Sequence, residues 1–366
     1  MVPSLNPVNR VIITLSLSGS LSSPKQNIID RNLSPVLFSI KIHCIIKVFL
    51  LRRKDMSIPR RASFWLTFCI ISIFLLSACG GATSGTTPPS STSSSSAAIN
   101  VVAAENFYGD IVKQLSGNRV AVTSILSDPD IDPHEYTSNV PTALAVSKAQ
   151  LVIENGDGYD TWMDKLLSAS PNSSRIVLVG ANIADHKLPD NAHIWYGINN
   201  MPAIAQAITA ALKKLDAAHA STFDNNLATF KQSLVLLEQK IQEINTKYKG
   251  TPVALTETIY LYQANPEGLD VLTPLEFQKA IAEGNDPPAN TVVETNNQVA
   301  KKDVKILIYN VQTVTPITTN LQNQAKNLNI PIVPVSETMP PGKTYQTWMM
   351  DQLNALQQAL ATATGH

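Results

Sequence analysis

Cysteine is nearly missing from this chain: 366 residues hold three, Cys44, Cys69 and Cys79, and none follows the last. Everything beyond residue 79 therefore has no means to build a disulfide framework or a cysteine-based zinc finger. Charge is thin too, at 15% of residues. After Cys79 it leans acidic, with 18 Lys+Arg against 26 Asp+Glu, a net of −8. The phosphates of a nucleic acid demand a basic face, so no nucleic acid is expected as a partner. An acidic body suits a protein that gathers cations. Absent as well are a His-Glu-x-x-His pair, a Gly-x-Ser-x-Gly elbow, a phosphate loop and an ordered Ser/His/Asp set. What is present is 44% hydrophobic, enough to bury one large two-lobed core or two medium ones.

The front of the chain reads as a leader. From Met56 come Arg60 and Arg61, an apolar run over 62–76, then Leu76-Ser77-Ala78-Cys79-Gly80. A charged segment, a short apolar segment and small residues at the cut make a signal peptide over 56–79, too short to span a membrane comfortably. The Leu-Ser-Ala-Cys tetrad resembles a bacterial lipobox, which would make Cys79 the lipidated first residue of the mature protein. Residues 80–99, mostly Gly, Ser, Thr, Pro and Ala, form a flexible tether. Residues 1–55 read as upstream sequence translated from a start placed too early.

From residue 100 onward the pattern is strand, helix, strand, helix. Short β-branched runs at 101–104, 120–125, 151–153 and 176–179 alternate with helical stretches at 107–115, 141–147, 161–167 and 201–215. A second set of strands falls at 252–256, 269–272, 305–309 and 331–335, with a last helix at 344–361. Such alternation predicts α/β architecture with covered parallel sheets. Between the sets, Phe223, Leu227, Phe230, Leu234, Leu237, Ile241 and Ile244 recur at intervals of four and three. That seam predicts one long amphipathic spine helix within 219–250, roughly 40 Å counted over 222–249 at 1.5 Å per residue. Ser221 and Asp224 offer a capping box at its start, and Gly250 and Pro252 a stop. The expected organisation is an N-terminal lobe over 100–218, a spine helix over 219–250 and a C-terminal lobe over 251–366.

Ligands of open α/β sheets bind beyond the carboxyl ends of the strands. There the chain places Asp130-Ile131-Asp132-Pro133-His134-Glu135-Tyr136, then Asn191-Ala192-His193-Ile194-Trp195, then Glu257, then Glu337. His134 and His193 from one lobe, with Glu257 and Glu337 from the other, are the candidate metal ligands. Two imidazoles and two carboxylates suit Zn²⁺, Mn²⁺ or Fe²⁺ better than Cu(I), Ca²⁺ or Mg²⁺. Hydrogen bonding within loops is the plain alternative for the histidines, and helix N-terminal charge for the acids. Tyr136, Trp195 and Tyr260 either line the cleft or pack between lobes. His186 reads as a solvated loop residue.

Asp132-Pro133-His134-Glu135-Tyr136, His193-Ile194-Trp195, Asn155-Gly156 with Trp162, the spine helix, and Tyr309-Asn310-Val311-Gln312 before Val335-Ser336-Glu337-Thr338 resemble the metal-binding lipoproteins of zinc and manganese ABC importers, solute-binding protein family 9. The likeness runs over nearly all of 100–361. It implies two parallel-sheet α/β lobes on one spine helix, Zn²⁺ or Mn²⁺ as transported ligand, and His134, His193, Glu257 and Glu337 as ligands. It also implies ABC permease and ATPase subunits as partners, a lipid anchor on the extracytoplasmic face, a monomer, and no enzymatic activity. Two features depart from the usual pattern: the last acid is Glu337 where Asp is common, and His186 is the sole other histidine between the two ligand histidines. The first bears on the reach of Glu337; the His-poor loop, together with Glu257 at the third position, leans away from a zinc-only site and towards manganese or iron. A zinc-dependent hydrolase and a surface adhesin with a structural metal are the alternative readings.

Overall fold

In the computed structural model, residues 98–365 are described, apart from Asp130, Asp132, His134 and Glu135. The leader, Cys79, most of the tether and His134 thus lie outside the described residues.

The first β-branched run becomes β1 (Ile99–Glu105), followed by helix α1 (Asn106–Ser116), β2 (Val120–Leu126), α2 (Val140–Lys148), β3 (Leu151–Glu154), α3 (Thr161–Ala169) and β4 (Ile176–Val179). The four strands form one parallel sheet in the order β2-β1-β3-β4. Short α4 (Gly180–Ile183) and α5 (Met201–Leu215) lead to the spine, α6 (Ala220–Tyr248). Beyond it come β5 (Pro252–Leu255), α7 (Leu261–Glu267), β6 (Asp270–Val271), α8 (Leu275–Ala282), α9 (Ala289–Ala300), β7 (Ile306–Asn310), α10 (Pro316–Asn327), β8 (Ile332–Val335) and α11 (Tyr345–Thr364). The second sheet is also parallel, and its order β6-β5-β7-β8 repeats that of the first. The fold is α/β: two parallel-sheet lobes joined by one long helix.

Alternation along the central strands explains how both faces are covered. Val101, Ala103, Leu151 and Ile153 face a core shared with α6, whereas Val102, Ala104 and Val152 face a smaller outer cluster with Val146, Trp162 and Met163. In the second lobe Val253, Leu255, Ile306 and Ile308 join the shared core, and Ala254 and Leu307 face an outer cluster with Val299, Leu321 and Ala325. Along α6, Phe223, Phe230, Leu234, Leu237 and Ile244 are buried in the shared core, with Leu227 and Ile241 packed against it. One apolar mass therefore runs through both lobes, which ties their stability together.

The helix differs from its sequence expectation at its start. His219 is the N-cap and makes no side-chain cap hydrogen bond, so the Ser221/Asp224 capping box does not form. Asp224 instead pairs with Lys213 of α5, Nζ to Oδ2 2.7 Å. A charge from the neighbouring helix competes with the local cap and takes the carboxylate. The expected strand at 269–272 shrinks to two residues, Asp270 and Val271.

Candidate metal site

His193 enters the site through its own loop. Asn191 Oδ1 accepts the His193 backbone N–H at 3.1 Å and lies 2.9 Å from its Nδ1, a local turn in which a short polar side chain holds the backbone two residues on. With Nδ1 donating to that carbonyl, the neutral ring turns its Nε2 lone pair outward, the arrangement typical of a metal-binding imidazole. Asn191 Nδ2 in turn donates to Thr258 O of the second lobe at 2.8 Å. Tyr262 OH donates to Asn191 O at 3.1 Å, so the histidine loop of one lobe is fastened to the other.

The acids come from the second sheet. Glu257 follows β5 in extended conformation and makes no side-chain cap bond to the turn after it, so its carboxylate is left for the site instead of the helix end. Glu337 follows β8. Both converge on His193: Nε2 lies 3.7 Å from Glu257 Oε2 and 4.0 Å from Glu337 Oε2. One donor atom from each of the three side chains lies within 4.8 Å of the others. All three are buried, with 2% exposure for His193, 1% for Glu257 and 0% for Glu337.

Ligands about 2.1 Å from a tetrahedral ion sit about 3.4 Å from one another, so these separations need only a small contraction around a cation. Two ionised carboxylates this close repel by about 3 to 4 kcal/mol at an effective dielectric of 20, which a divalent cation would reverse. The donor set, one imidazole nitrogen and two carboxylates, fits Zn²⁺ or Mn²⁺.

Around the acids stands a ring of hydrogen-bond donors. Asn310, the last residue of β7, accepts the Gln312 N–H on Oδ1 at 3.0 Å, which turns its amide nitrogen toward the acids. That nitrogen donates to Glu337 Oε1 at 2.6 Å and to Glu257 Oε1. Thr313 Oγ1 lies 3.3 Å from Glu257 and 3.4 Å from Glu337. Tyr159 of the first lobe donates its hydroxyl to Glu337 Oε2 at 2.7 Å. Gln312 Oε1 receives the backbone N–H of Glu337 at 2.7 Å, while its amide nitrogen donates to Ile131 O at 2.9 Å. Gln312 thereby joins the Glu337 backbone to Ile131, three positions before His134 in the sequence.

Of the four expected ligands the structure brings three together, and His134 lies outside the described residues. Tyr159 and Thr313 were missed by sequence reasoning, because nothing local marks residues that serve acids far off in the chain, 178 positions away for Tyr159 and 24 and 56 for Thr313. Asn191 and Asn310 stood in the quoted motifs without an assigned role. Trp195 touches His193 edge-on, ring centroids 5.2 Å apart, and stacks on Phe107 at 4.6 Å. Tyr260 points away into the core, where its hydroxyl donates to Glu267. Tyr136 packs on Trp162. His186 is exposed, as expected of a solvated loop. Outside the trio a cleft of about 480 Å³, lined by Asp157, Tyr159, Asp190, His193, Thr258 and Lys279, opens toward solvent.

Two sheets of like strand order on a helical spine, with mixed nitrogen and oxygen donors at their seam, define the class: a two-lobed α/β binding protein. The chain belongs to the family described as zinc-uptake complex component A, periplasmic, whose profile matches residues 101–359. It is 25% identical over 197 residues to the metal ABC transporter substrate-binding lipoprotein ScbA of Streptococcus cristatus, covering 50% of this chain and 62% of that one. It is 26% identical to the manganese-binding lipoprotein MntA of Halalkalibacterium halodurans, over 56% of this chain and 68% of the relative. The chain thus spans somewhat less than two thirds of ScbA and slightly more of MntA. The periplasmic zinc-binding protein TroA of Treponema pallidum has the same fold, with a TM-score of 0.62 at 17% identity over 72% of this chain and 99% of its own. Among the described residues no helix is long and apolar enough to cross a membrane.

Proposed function

We propose that this protein is the extracytoplasmic receptor of an ABC importer, capturing Zn²⁺ or Mn²⁺ between its lobes and passing it to a membrane permease driven by a separate ATPase. The observation that carries this reading is the grouping of His193, Glu257 and Glu337 within 4.8 Å in a buried seam between lobes. His193, Glu257 and Glu337 are the ligands, and His134, three positions beyond Ile131 in the sequence, is the fourth. Relatives named for manganese and for zinc support either ion. Cys79 carries the lipid that holds the monomer at the membrane, and the residues after it are the tether. The protein is a carrier and not an enzyme.

Inter-lobe hydrogen bonds such as Tyr196 OH to Ser336 O at 2.6 Å and Tyr345 OH to Trp195 O at 2.6 Å hold the lobes in register. Release therefore proceeds by a small local movement of the ligand loops, with the shared core intact. Metal analysis of protein purified without chelator, combined with a thermal scan, tests the reading. One equivalent of metal and a midpoint that rises with added Zn²⁺ or Mn²⁺ are expected, since a ligand that binds only the folded state stabilises it by mass action. Absence of both would defeat it. Turnover of ester, peptide or phosphate substrates by the loaded protein, above that of free metal, would favour a hydrolase instead.

A further inference from the structure

A second group of acids lies in the first lobe, away from the ligand trio, at the carboxyl ends of β1 and β3. Glu105 closes β1, Glu154 closes β3, and Asp160 stands in the turn after it. Glu105 is completely buried, and neither carboxyl oxygen has a hydrogen-bond partner of the ordinary donor kind. Although it is the N-cap of α1, it makes no side-chain cap bond there. No lysine, arginine or histidine pairs with it among the described residues. A carboxylate in such a place would forfeit its hydration with only its own backbone N–H in exchange.

The neighbour on which it bears is differently equipped. Asp160 accepts the backbone N–H of Asn155 at 2.6 Å on one oxygen and that of Gly156 at 2.8 Å on the other. Glu105 and Asp160 are in side-chain hydrogen-bond contact, and two carboxyl groups can make that contact only if one keeps its proton. Asp160, with two amide donors, is the acceptor, so the proton belongs to Glu105. Burial, then Asp160, then Glu154 push the Glu105 carboxyl well above its usual range, and only its own backbone N–H acts the other way. The other titratable groups that face this pair are Tyr108 and Tyr159.

The loop that Asp160 organises leads directly to the ligands. Asn155 takes the Tyr108 hydroxyl on Oδ1 at 2.9 Å and donates from Nδ2 to Ala192 O at 2.8 Å, the residue before His193. Tyr159, beside Asp160, donates to Glu337. Gly156 has φ of +77°, and a Cβ there would meet Val179 Cγ1 at 2.4 Å, so the backbone of this loop takes its course only with glycine at that position.

We propose that Glu105 is a positioning residue of the metal site: as a neutral acid it donates to Asp160, and the pair clamps the 155–160 loop that supports His193 and Glu337. This rests on the metal-receptor reading. It assigns a task to a side chain that touches no metal.

The test compares Glu105→Gln, which keeps a neutral donor of the same shape, with Glu105→Leu, which keeps volume and loses the donor. Mn²⁺ affinity of Glu105→Gln should stay within about threefold of wild type, while Glu105→Leu should lose on the order of tenfold, as is usual for removal of a group that supports a ligand. Independently of metal, the infrared difference spectrum of wild type minus Glu105→Gln at neutral pH should show the carbonyl stretch of a protonated carboxylic acid. That readout needs only the folded isostere, so it decides the protonation even where Glu105→Leu does not fold. No acid band, or equal losses of affinity in both variants, or no loss in a folded Glu105→Leu, would overturn the proposal. A wild-type protein that binds neither Mn²⁺ nor Zn²⁺ would defeat the receptor reading itself, and the positioning role with it, whatever the infrared band showed.

Discussion

The two lobes share a strand order and treat their acids in opposite ways. In the first, Glu105 is buried with no ordinary donor, and Glu154 is pushed up to about 7 by burial with Asp160 and Asp164 beside it. In the second, Glu257 and Glu337 are as deeply buried but ringed by Asn310, Thr313 and Tyr159. Burial alone disfavours charge, and it is the donors that decide whether a carboxyl is furnished for a cation or kept as a neutral strut. The second lobe also has a strut of its own, Glu267, which burial raises to about 8 against the single opposing hydrogen bond from Tyr260.

The largest effect expected from breaking this division of labour is at a ligand. Glu337→Gln should weaken Mn²⁺ or Zn²⁺ binding by more than about 100-fold, since losing a mere supporting group already costs 10 to 100-fold. In the metal-free protein the same change should raise the melting midpoint, because it removes one of two mutually repelling acids. Calorimetric titration and a thermal scan give both numbers, and a fall in both would mean that the pair is not under charge strain. Next comes Asn310→Ala, expected to cost 10 to 100-fold in affinity with the ligands untouched, measured by chelator competition.

Glu267→Gln tests the strut in the second lobe. An acid raised in the folded state contributes stability fully below its unfolded value of 4.5, and that contribution is lost progressively until pH passes the folded value of about 8. Wild-type stability should therefore decline across that window by up to about 1.4 kcal/mol per pH unit from this group, and Glu267→Gln should flatten the slope in urea titrations. An unchanged slope would show that Glu267 is charged. The smallest effect belongs to the exposed clasp between lobes, Lys279 Nζ to Asp190 Oδ2 at 2.8 Å. Lys279→Ala should shift the melting midpoint only slightly, and that shift should vanish at high salt.

How much of this could be read in the sequence follows the same division. Strand ends name ligands because parallel strands bring their carboxyl ends to one edge, where β5 and β8 flank β7, so Glu257 and Glu337 were legible as a pair. The seam of α6 was legible because a regular apolar spacing means one buried face. Its cap was not, since Lys213 on another helix decides where Asp224 goes. Tyr159 was invisible for a like reason: its hydroxyl serves a residue on the other lobe. Glu105, one residue past the predicted strand 101–104, carried no mark of its own, for the absence of a donor is a property of packing and has no local signature.

The most direct test of the central claim is anomalous diffraction from crystals grown with Mn²⁺. A single peak about 2.0 to 2.3 Å from His193 Nε2 and from a carboxylate oxygen of both Glu257 and Glu337 is the expected result. A stoichiometric peak elsewhere in the protein, with no ion among His193, Glu257 and Glu337, would contradict it.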